Sequence, residues 1–149
     1  MRPSWITEDG FVDPLKLPLE PILSQALQED EEQCRSGCTL LASIASRGRK
    51  EAGDFFLGLL TYYGARPERL VTVVSALSSF RTAITVEALA GELYRVKSTN
   101  ATRGYLSEVL RALTRLPREL WEPKLIDMAY DNHFSPRWRR KFEDALDSW

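Results

Sequence analysis

The sequence predicts an all-α fold in which eight short helices form four consecutive hairpins behind an irregular N-terminal arm. Apolar residues recur at helical spacing from residue 18 onward, and short links separate the periodic segments. Residues 73–110 and 109–146 also repeat one pattern at an offset of 36 positions. The 149 residues, 44% of them hydrophobic and 28% charged, suffice for a real core, so we predict a single domain over residues 1–149.

The two copies of the repeat share five identical positions and five more that are apolar in both. The identical pairs are Val73/Val109, Ala76/Ala112, Leu77/Leu113, Leu89/Leu125 and Tyr94/Tyr130. The apolar pairs are Val74/Leu110, Phe80/Leu116, Ile84/Leu120, Leu106/Phe142 and Leu110/Leu146. A repeat of this length holds two short helices, which cannot bury their apolar face alone and therefore stack on their neighbours. The pattern favours an α-α superhelix with a surface for binding over a fold built around a catalytic pocket.

The first half of the chain contains the arm and four predicted helices. Residues 1–17 are predicted to be irregular, and their apolar residues are expected to cover the first helices: Trp5, Ile6, Phe11 and Val12. The repeats occupy 18–149, with the first helix over about 18–29 and a second that begins at the acidic run 30–32 and stops at Gly48. The third helix covers about 50–63 with an apolar stripe of Phe55, Phe56, Leu59, Leu60 and Tyr63, and the fourth begins at Pro67.

The second half contains four more predicted helices. The fifth begins after Thr85 and runs to Lys97, the sixth covers about 101–115, and the seventh covers about 118–131. The eighth is expected to have Ser135 as its N-cap and Pro136 at its first position. Its apolar stripe consists of Trp138, Phe142, Ala145, Leu146 and Trp149.

The turn signals between these helices resemble those of HEAT-like repeats. Such repeats end one helix in an acidic or Asn turn, followed by Pro or a small residue, an Arg, and a helix that ends in Ala-Leu. Residues 131–137 through Ala145-Leu146 carry this pattern, residues 98–103 through Ala112-Leu113 carry part of it, and residues 64–67 through Ala76-Leu77 carry less. The resemblance implies an α-solenoid in which the second helix of each pair lines a concave side that contacts a partner, and it implies little about activity.

Composition and charge bear on partners and location. The net charge of −1 gives no overall attraction to nucleic acid or to an anionic membrane. Residues 1–48 carry eight acids and four bases, whereas residues 49–149 carry thirteen acids and sixteen bases, so the C-terminal repeats are mildly basic. The sequence shows no signal-peptide pattern and no apolar run of the ~18 residues that a membrane span needs. Cys34 and Cys38 are expected to be reduced and partly buried. We therefore expect a cytoplasmic protein, and we expect no membrane partner.

The sequence lacks the patterns that carry most catalytic chemistry. It contains no Gly-rich phosphate loop and no Gly-x-Ser-x-Gly elbow. His133 is the only histidine, so a Ser–His–Asp site would have to use it, but its place in a turn favours an exposed or turn-bonding histidine. The acid pairs Asp127/Asp131 and Glu143/Asp147 have the spacing of a solvated helix face. We therefore predict no catalytic residue, no metal site and no cofactor.

The candidate binding residues lie in the C-terminal repeats. They are Arg103, Arg111, Arg137, Arg139, Arg140 and the terminal Trp149. At the repeat offset Arg103 matches Arg139, and Arg111 lies two turns further along its helix, so a ladder of arginines is expected across the inner surface. A guanidinium binds carboxylates and phosphates through two parallel hydrogen bonds. Alternatively, these arginines are ordinary surface charges paired with Glu108, Glu143, Asp144 and Asp147.

Three functions remain open at this point. The repeat and the absence of catalytic motifs favour a non-enzymatic module that binds a protein partner, as an adaptor, a scaffold or an inhibitor of the immunity type. The arginine ladder allows nucleic-acid binding instead, although phosphate binding needs a concentrated basic surface. HEAT-like repeats also occur in proteins related to the chromophore lyases of photosynthetic bacteria, which leaves a lyase-like or chaperone accessory role as a third possibility.

Overall fold

The computed structural model describes residues 3–13, 15–64 and 66–148 and confirms the all-α prediction. Eight helices make up most of these residues: α1 (Glu20–Ala26), α2 (Glu31–Ser46), α3 (Lys50–Tyr62), α4 (Pro67–Leu77), α5 (Ala83–Arg95), α6 (Arg103–Arg115), α7 (Arg118–Ala129) and α8 (Pro136–Asp147). The described residues contain no β-strand, and an isolated antiparallel bridge joins Ile6 to Val12. The helices fall into two compact units, Met1–Phe80 and Arg81–Trp149, which we name the N-terminal and C-terminal units.

Helix α2 is the centre of the N-terminal unit. It packs against α1, α3 and α4, so its apolar face meets three neighbours. Its side chains Cys34, Cys38 and Leu41 are fully buried, as is Phe56 of α3. Helix α2 ends at Ser46 with Arg47 as its C-cap, one residue before the expected Gly48. Gly48 follows with a φ of 99°, a conformation that glycine adopts without strain and that stops the helix there.

Three expectations for the N-terminal unit need correction. Helix α1 is shorter than the expected 18–29, because the chain leaves helical geometry at Leu27. Phe55 is 43% exposed, since it lies about 100° around the helix from the buried Phe56 and therefore faces away from the core. In the arm, Trp5 is half-buried, but Phe11 and Val12 are 72% and 49% exposed and therefore do not cover the first helices as expected.

The C-terminal unit consists of two helical hairpins. Helix α5 packs on α6, α7 packs on α8, and α7 also contacts α5 and α6, so the second hairpin lies on the first. The repeat-related residues Leu89 and Leu125 are both fully buried, as are Val73 and Val109. Tyr94 and Tyr130 differ, however, because Tyr94 is half-buried whereas Tyr130 is 79% exposed. Identity of residue type across the repeat therefore does not guarantee an equivalent environment.

Helix α5 begins earlier than predicted, at Ala83, because Thr82 provides its N-cap. The Thr82 hydroxyl oxygen accepts a hydrogen bond of 3.2 Å from the backbone N–H of Thr85. The two threonine hydroxyls also lie 2.9 Å apart, and Thr85 is fully buried. The cap thus satisfies one backbone donor at the start of the helix and one buried hydroxyl.

Substitution of Thr82 with alanine is expected to destabilise the C-terminal unit by about 1–2 kcal/mol, because both hydrogen bonds are lost at once. Urea denaturation followed by circular dichroism measures the change in the free energy of unfolding. Thr82→Asp is the matched control, since a carboxylate accepts the same bonds and suits a helix N-terminus. An alanine variant as stable as the aspartate variant would contradict the capping role.

Candidate binding site

The structure brings two of the six predicted binding residues into one cleft. Arg103, near the start of α6, and Arg137, near the start of α8, line a cleft of about 290 Å³, which we name the arginine cleft. The other residues that line it are Ser98, Thr99, Asn100, Ser135 and Trp138. Arg139 and Arg140 do not line it, and Trp149 lies outside the described residues. Instead of the predicted ladder, the cleft therefore contains a pair of arginines at the N-terminal ends of two helices.

Arg111 lies at a different place, in a cavity of about 560 Å³ towards the C-terminal ends of α6 and α8. It forms an ion pair with Glu108 one turn earlier in α6, as the alternative interpretation of the arginines expected. Arg118 lines the same cavity and donates from Nη1 to the backbone carbonyl of Ser148 at 2.9 Å and from Nη2 to that of Leu146. Because these bonds satisfy carbonyls at the end of α8, the basic groups here serve the fold.

A second cavity of about 440 Å³ adjoins the arginine cleft, and we name it the aromatic cavity. Its lining is mainly apolar and comes from the end of α5, the link to α6, and the turn between α7 and α8. The lining residues are Leu93, Tyr94, Arg95, Val96, Lys97, Ser98, Leu106, His133, Phe134, Ser135 and Trp138. Ser98, Ser135 and Trp138 line both the cavity and the cleft, so the two lie side by side and share these residues.

The start of α8 places the two largest apolar groups of the site. Ser135 is the N-cap, as predicted, and its hydroxyl accepts from the Trp138 backbone N–H at 3.3 Å. The Trp138 indole donates from Nε1 to the Ser98 hydroxyl at 3.0 Å, which ties α8 to the link after α5. The Phe134 ring packs against Phe142 with 4.9 Å between ring centroids. Trp138 and Phe134 are therefore held in place by contacts on more than one side.

Tyr94, Asp131 and His133 join the end of α5 to the turn before α8. Asp131 accepts from the Tyr94 hydroxyl at 2.7 Å and from the His133 backbone N–H at 2.9 Å. The His133 ring donates from Nε2 to the Tyr94 backbone carbonyl at 3.1 Å. Asp131 thus contacts the main chain of His133 and not its ring. The ring bonds to the Tyr94 carbonyl, as expected for a turn-bonding histidine. These bonds fix the rim of the aromatic cavity.

The same bonds shift two pKa values. The His133 backbone N–H, and then the Tyr94 hydroxyl, lower the pKa of Asp131 from its ordinary value because both stabilise the carboxylate. Burial, and then the bond to Asp131, raise the pKa of Tyr94 to about 12. Tyr94 therefore stays a hydrogen-bond donor at neutral pH.

Substitution of Tyr94 with phenylalanine is expected to raise the pKa of Asp131 while leaving it below the ordinary value, because the His133 N–H bond remains. A lowered carboxyl pKa stabilises the fold above the ordinary pKa, and this stability is lost as the pH falls through the folded-state pKa. The loss of stability on acidification should therefore be smaller in the variant and should be complete at a higher pH. An NMR titration of the Asp131 carboxyl measures this, and Tyr130→Phe, at the repeat-related exposed position, is the control. An unchanged Asp131 pKa in Tyr94→Phe would contradict the assignment.

Cations surround the site, and among the residues that the structure describes no aspartate or glutamate lines either part of it. Arg95 and Lys97 line the aromatic cavity, while Arg103 and Arg137 line the arginine cleft. Lys141 adds a fifth cation, with its Nζ atom 4.3 Å from the centroid of the Trp138 ring. The charged residues in the described lining are therefore all basic, although the chain as a whole carries a net charge of −1.

Arg95 is held by a buried acid beneath the cavity. Its Nε and Nη2 atoms each donate to Glu92 at 2.7 Å, and Glu92 also accepts from the Tyr105 hydroxyl at 2.6 Å. Glu92 is buried, so these bonds compensate the cost of removing its charge from water. Burial, and then the bond to Glu92, raise the pKa of Tyr105, which keeps this donor in place.

Other chemical groups in the described residues do not form a site. Burial is the main factor that raises the pKa of the Cys38 thiol to about 12, so the thiol stays protonated and inert at neutral pH. Among residues 3–13, 15–64 and 66–148, no group of three or more potential ligands could hold a metal ion. Within the same ranges, every helix is too short or too polar to cross a bilayer.

Sequence reasoning missed most of the aromatic cavity. It identified Trp138 within a basic cluster but assigned no binding role to Tyr94, Lys97 or Phe134. No sequence signal singled out Tyr94, because Tyr130 matches it in the repeat and lies next to Asp131 in the chain. The structure instead places the Tyr94 hydroxyl 2.7 Å from Asp131. Comparison with protein-family models, with curated proteins and with solved structures found no match to this chain.

Proposed function

We propose that this protein is a non-enzymatic binding module that recognises a segment of a partner protein through the aromatic cavity and the arginine cleft. The observation that carries the proposal is the cavity of about 440 Å³, which is lined mainly by apolar and aromatic side chains and adjoins a basic cleft. Sites that bind a specific ligand are commonly concave, apolar and about 300–1,000 Å³ in volume, with a few polar groups that set orientation.

The role of the module follows from the partner that it holds. An adaptor, a scaffold and an inhibitor all need a rigid surface that keeps its shape on binding, because ordering a mobile surface costs affinity. The bonds from Trp138 to Ser98 and from Tyr94 to Asp131 favour such a surface. We also propose that the helical hairpins are HEAT-like repeats. The turns of these repeats then supply the residues that line the site.

A random peptide library displayed on phage tests the proposal directly. Peptides are selected on the wild-type protein and then bound to two variants that carry a photo-crosslinking residue, Lys97→p-benzoylphenylalanine or Tyr130→p-benzoylphenylalanine. Both positions are exposed in the C-terminal unit, but only Lys97 lines the cavity. We expect the selected peptides to crosslink at position 97 and not at position 130. Failure to select any peptide, or crosslinking at position 130 alone, would overturn the proposal.

Nucleic-acid binding is a second candidate, because the site is lined by cations and contains aromatic rings on which bases stack. Such binding would weaken steeply with salt. The number of cations is small for a phosphate track, however, and half of the site is an apolar cavity. A partner protein therefore accounts for more of the observed lining.

A further inference from the structure

We infer that the partner segment is acidic and carries a large apolar side chain, which enters the aromatic cavity while neighbouring carboxylates pair with Arg103 and Arg137. This inference rests on the proposed function and names the chemistry of the partner. It is carried by the juxtaposition of an apolar cavity with a cleft whose described lining contains two arginines and no acid.

The charged residues that line the site favour an acidic partner. The chain contains 21 acids and 20 bases, so an average surface patch contains both signs. The residues that line the cavity and the cleft include four bases and no acid among the described residues. The carboxylates of a partner would be attracted to Arg103, Arg137 and Lys97, whereas a basic segment would be repelled there. Arg95 contributes less because Glu92 pairs with it, and Asp131 holds a carboxylate at the cavity rim.

The arginines of the C-terminal unit differ in whether an acid of the same chain already pairs with them. Arg111 and Arg118 are ion-paired with Glu108 and Glu122, and Arg95 is ion-paired with Glu92. Within residues 3–13, 15–64 and 66–148, by contrast, Arg103 and Arg137 form no ion pair.

Arg103 donates one hydrogen bond, from Nη2 to the Asn100 side-chain oxygen at 2.7 Å, and this bond steadies the guanidinium at the cleft. The remaining donors of Arg103 can bind a carboxylate, for which the planar fork of arginine is well suited. Arg137 is exposed on the same cleft and offers a second guanidinium.

The wall of the aromatic cavity suits a large apolar side chain of the partner segment. Phe134 and Trp138 are buried and held by neighbours, so they form a cavity wall that is present before binding. A large apolar side chain gains free energy by leaving water for such a wall, and a rigid wall loses little entropy on binding. Because three residues line both parts of the site, an extended peptide can fill the cavity and reach the cleft with nearby residues.

Fluorescence anisotropy with defined probes tests the inference. The probes are a labelled peptide in which phenylalanine is flanked by glutamates, its analogue with glutamines, its analogue with alanine in place of phenylalanine, and an oligothymidylate. The proteins are the wild type, the double variant Arg103→Gln/Arg137→Gln, and the control Arg115→Gln/Arg140→Gln. The control removes the same charge from exposed arginines outside the cleft.

We expect the glutamate peptide to bind the wild type about tenfold more tightly than the glutamine peptide, as two partly exposed ion pairs allow. The cleft variant should lose this advantage, and the control variant should keep it. The alanine peptide should bind more weakly than the phenylalanine peptide to every protein.

Two results would overturn the inference while leaving the proposed function intact. One is equal affinity for the glutamate and glutamine peptides, and the other is equal weakening by the cleft and control variants, provided that phenylalanine is still required. Oligothymidylate binding tighter than every peptide would overturn both the inference and the proposed function. Absence of binding by all four probes also overturns the inference, and the phage selection then decides on the proposed function independently.

Discussion

Substitution of Gly37 with alanine is expected to destabilise the N-terminal unit by about 2 kcal/mol, although alanine is the better helix former. A Cβ atom at this position would lie 2.4 Å from the Ala26 backbone nitrogen and 2.7 Å from its Cα atom. Such contacts are too short to persist, so α1 and α2 would have to separate. The cost exceeds the gain of about 1 kcal/mol in helix propensity because backbone atoms cannot rotate away as side chains do.

Gly58→Ala is the matched control in the same unit. Gly58 lies within α3, and a Cβ atom there would meet nothing within 4 Å. Alanine should therefore stabilise the protein by about 0.5–1 kcal/mol, because it reduces the entropy of the unfolded chain. Urea denaturation gives both free energies of unfolding. If Gly37→Ala is as stable as Gly58→Ala, the close crossing of α1 and α2 is wrong.

Substitution of Phe142 with alanine is expected to destabilise the C-terminal unit by about 3–5 kcal/mol, the usual cost of removing a buried aromatic ring. Phe142 is fully buried in α8, and its ring centroid lies 4.9 Å from that of Phe134 and 6.2 Å from that of Trp138. The loss is a large fraction of the 5–15 kcal/mol that typically holds a domain folded, so the unit should unfold at a much lower urea concentration.

Ile84→Ala controls for removal of apolar surface in the same unit. Ile84 is 65% exposed, so its loss should change the free energy of unfolding by no more than about 0.5 kcal/mol. The Phe142 variant should also bind the selected peptides more weakly under conditions where it remains folded, because Phe134 loses the ring on which it packs. Unchanged stability in Phe142→Ala would show that the aromatic cluster is not packed as described.

Helix positions could be predicted because their signals are local. Pro67 and Pro136 begin α4 and α8 as expected, Ser135 caps α8, and Gly48 ends α2. The prediction was less accurate at the start of α5, because Thr82 and Thr85 are both possible caps and the structure uses Thr82. It was also wrong for Phe55, since a broad apolar stripe does not reveal which of two adjacent residues faces the core.

The candidate site could be predicted only in part. Arg103 and Arg137 were identified from sequence, and the structure places both in the arginine cleft. Arg111 lies in another cavity and pairs with Glu108, so spacing along a helix overestimated the length of the ladder. The equivalence of Arg103 with Arg139 did not extend to the cleft, because Arg139 does not line it and Arg137, in the first turn of α8, lines it together with Arg103.

The sequence by itself determined the helical class, the boundaries set by proline, glycine and capping residues, and the mildly basic character of the C-terminal part. These properties depend on residues within a few positions of one another, so a local pattern records them. Only the tertiary structure decided that Tyr94 meets Asp131 and that Trp138 meets Ser98. Such pairs lie far apart along the chain and come together through the stacking of one hairpin on the next, which no local pattern specifies.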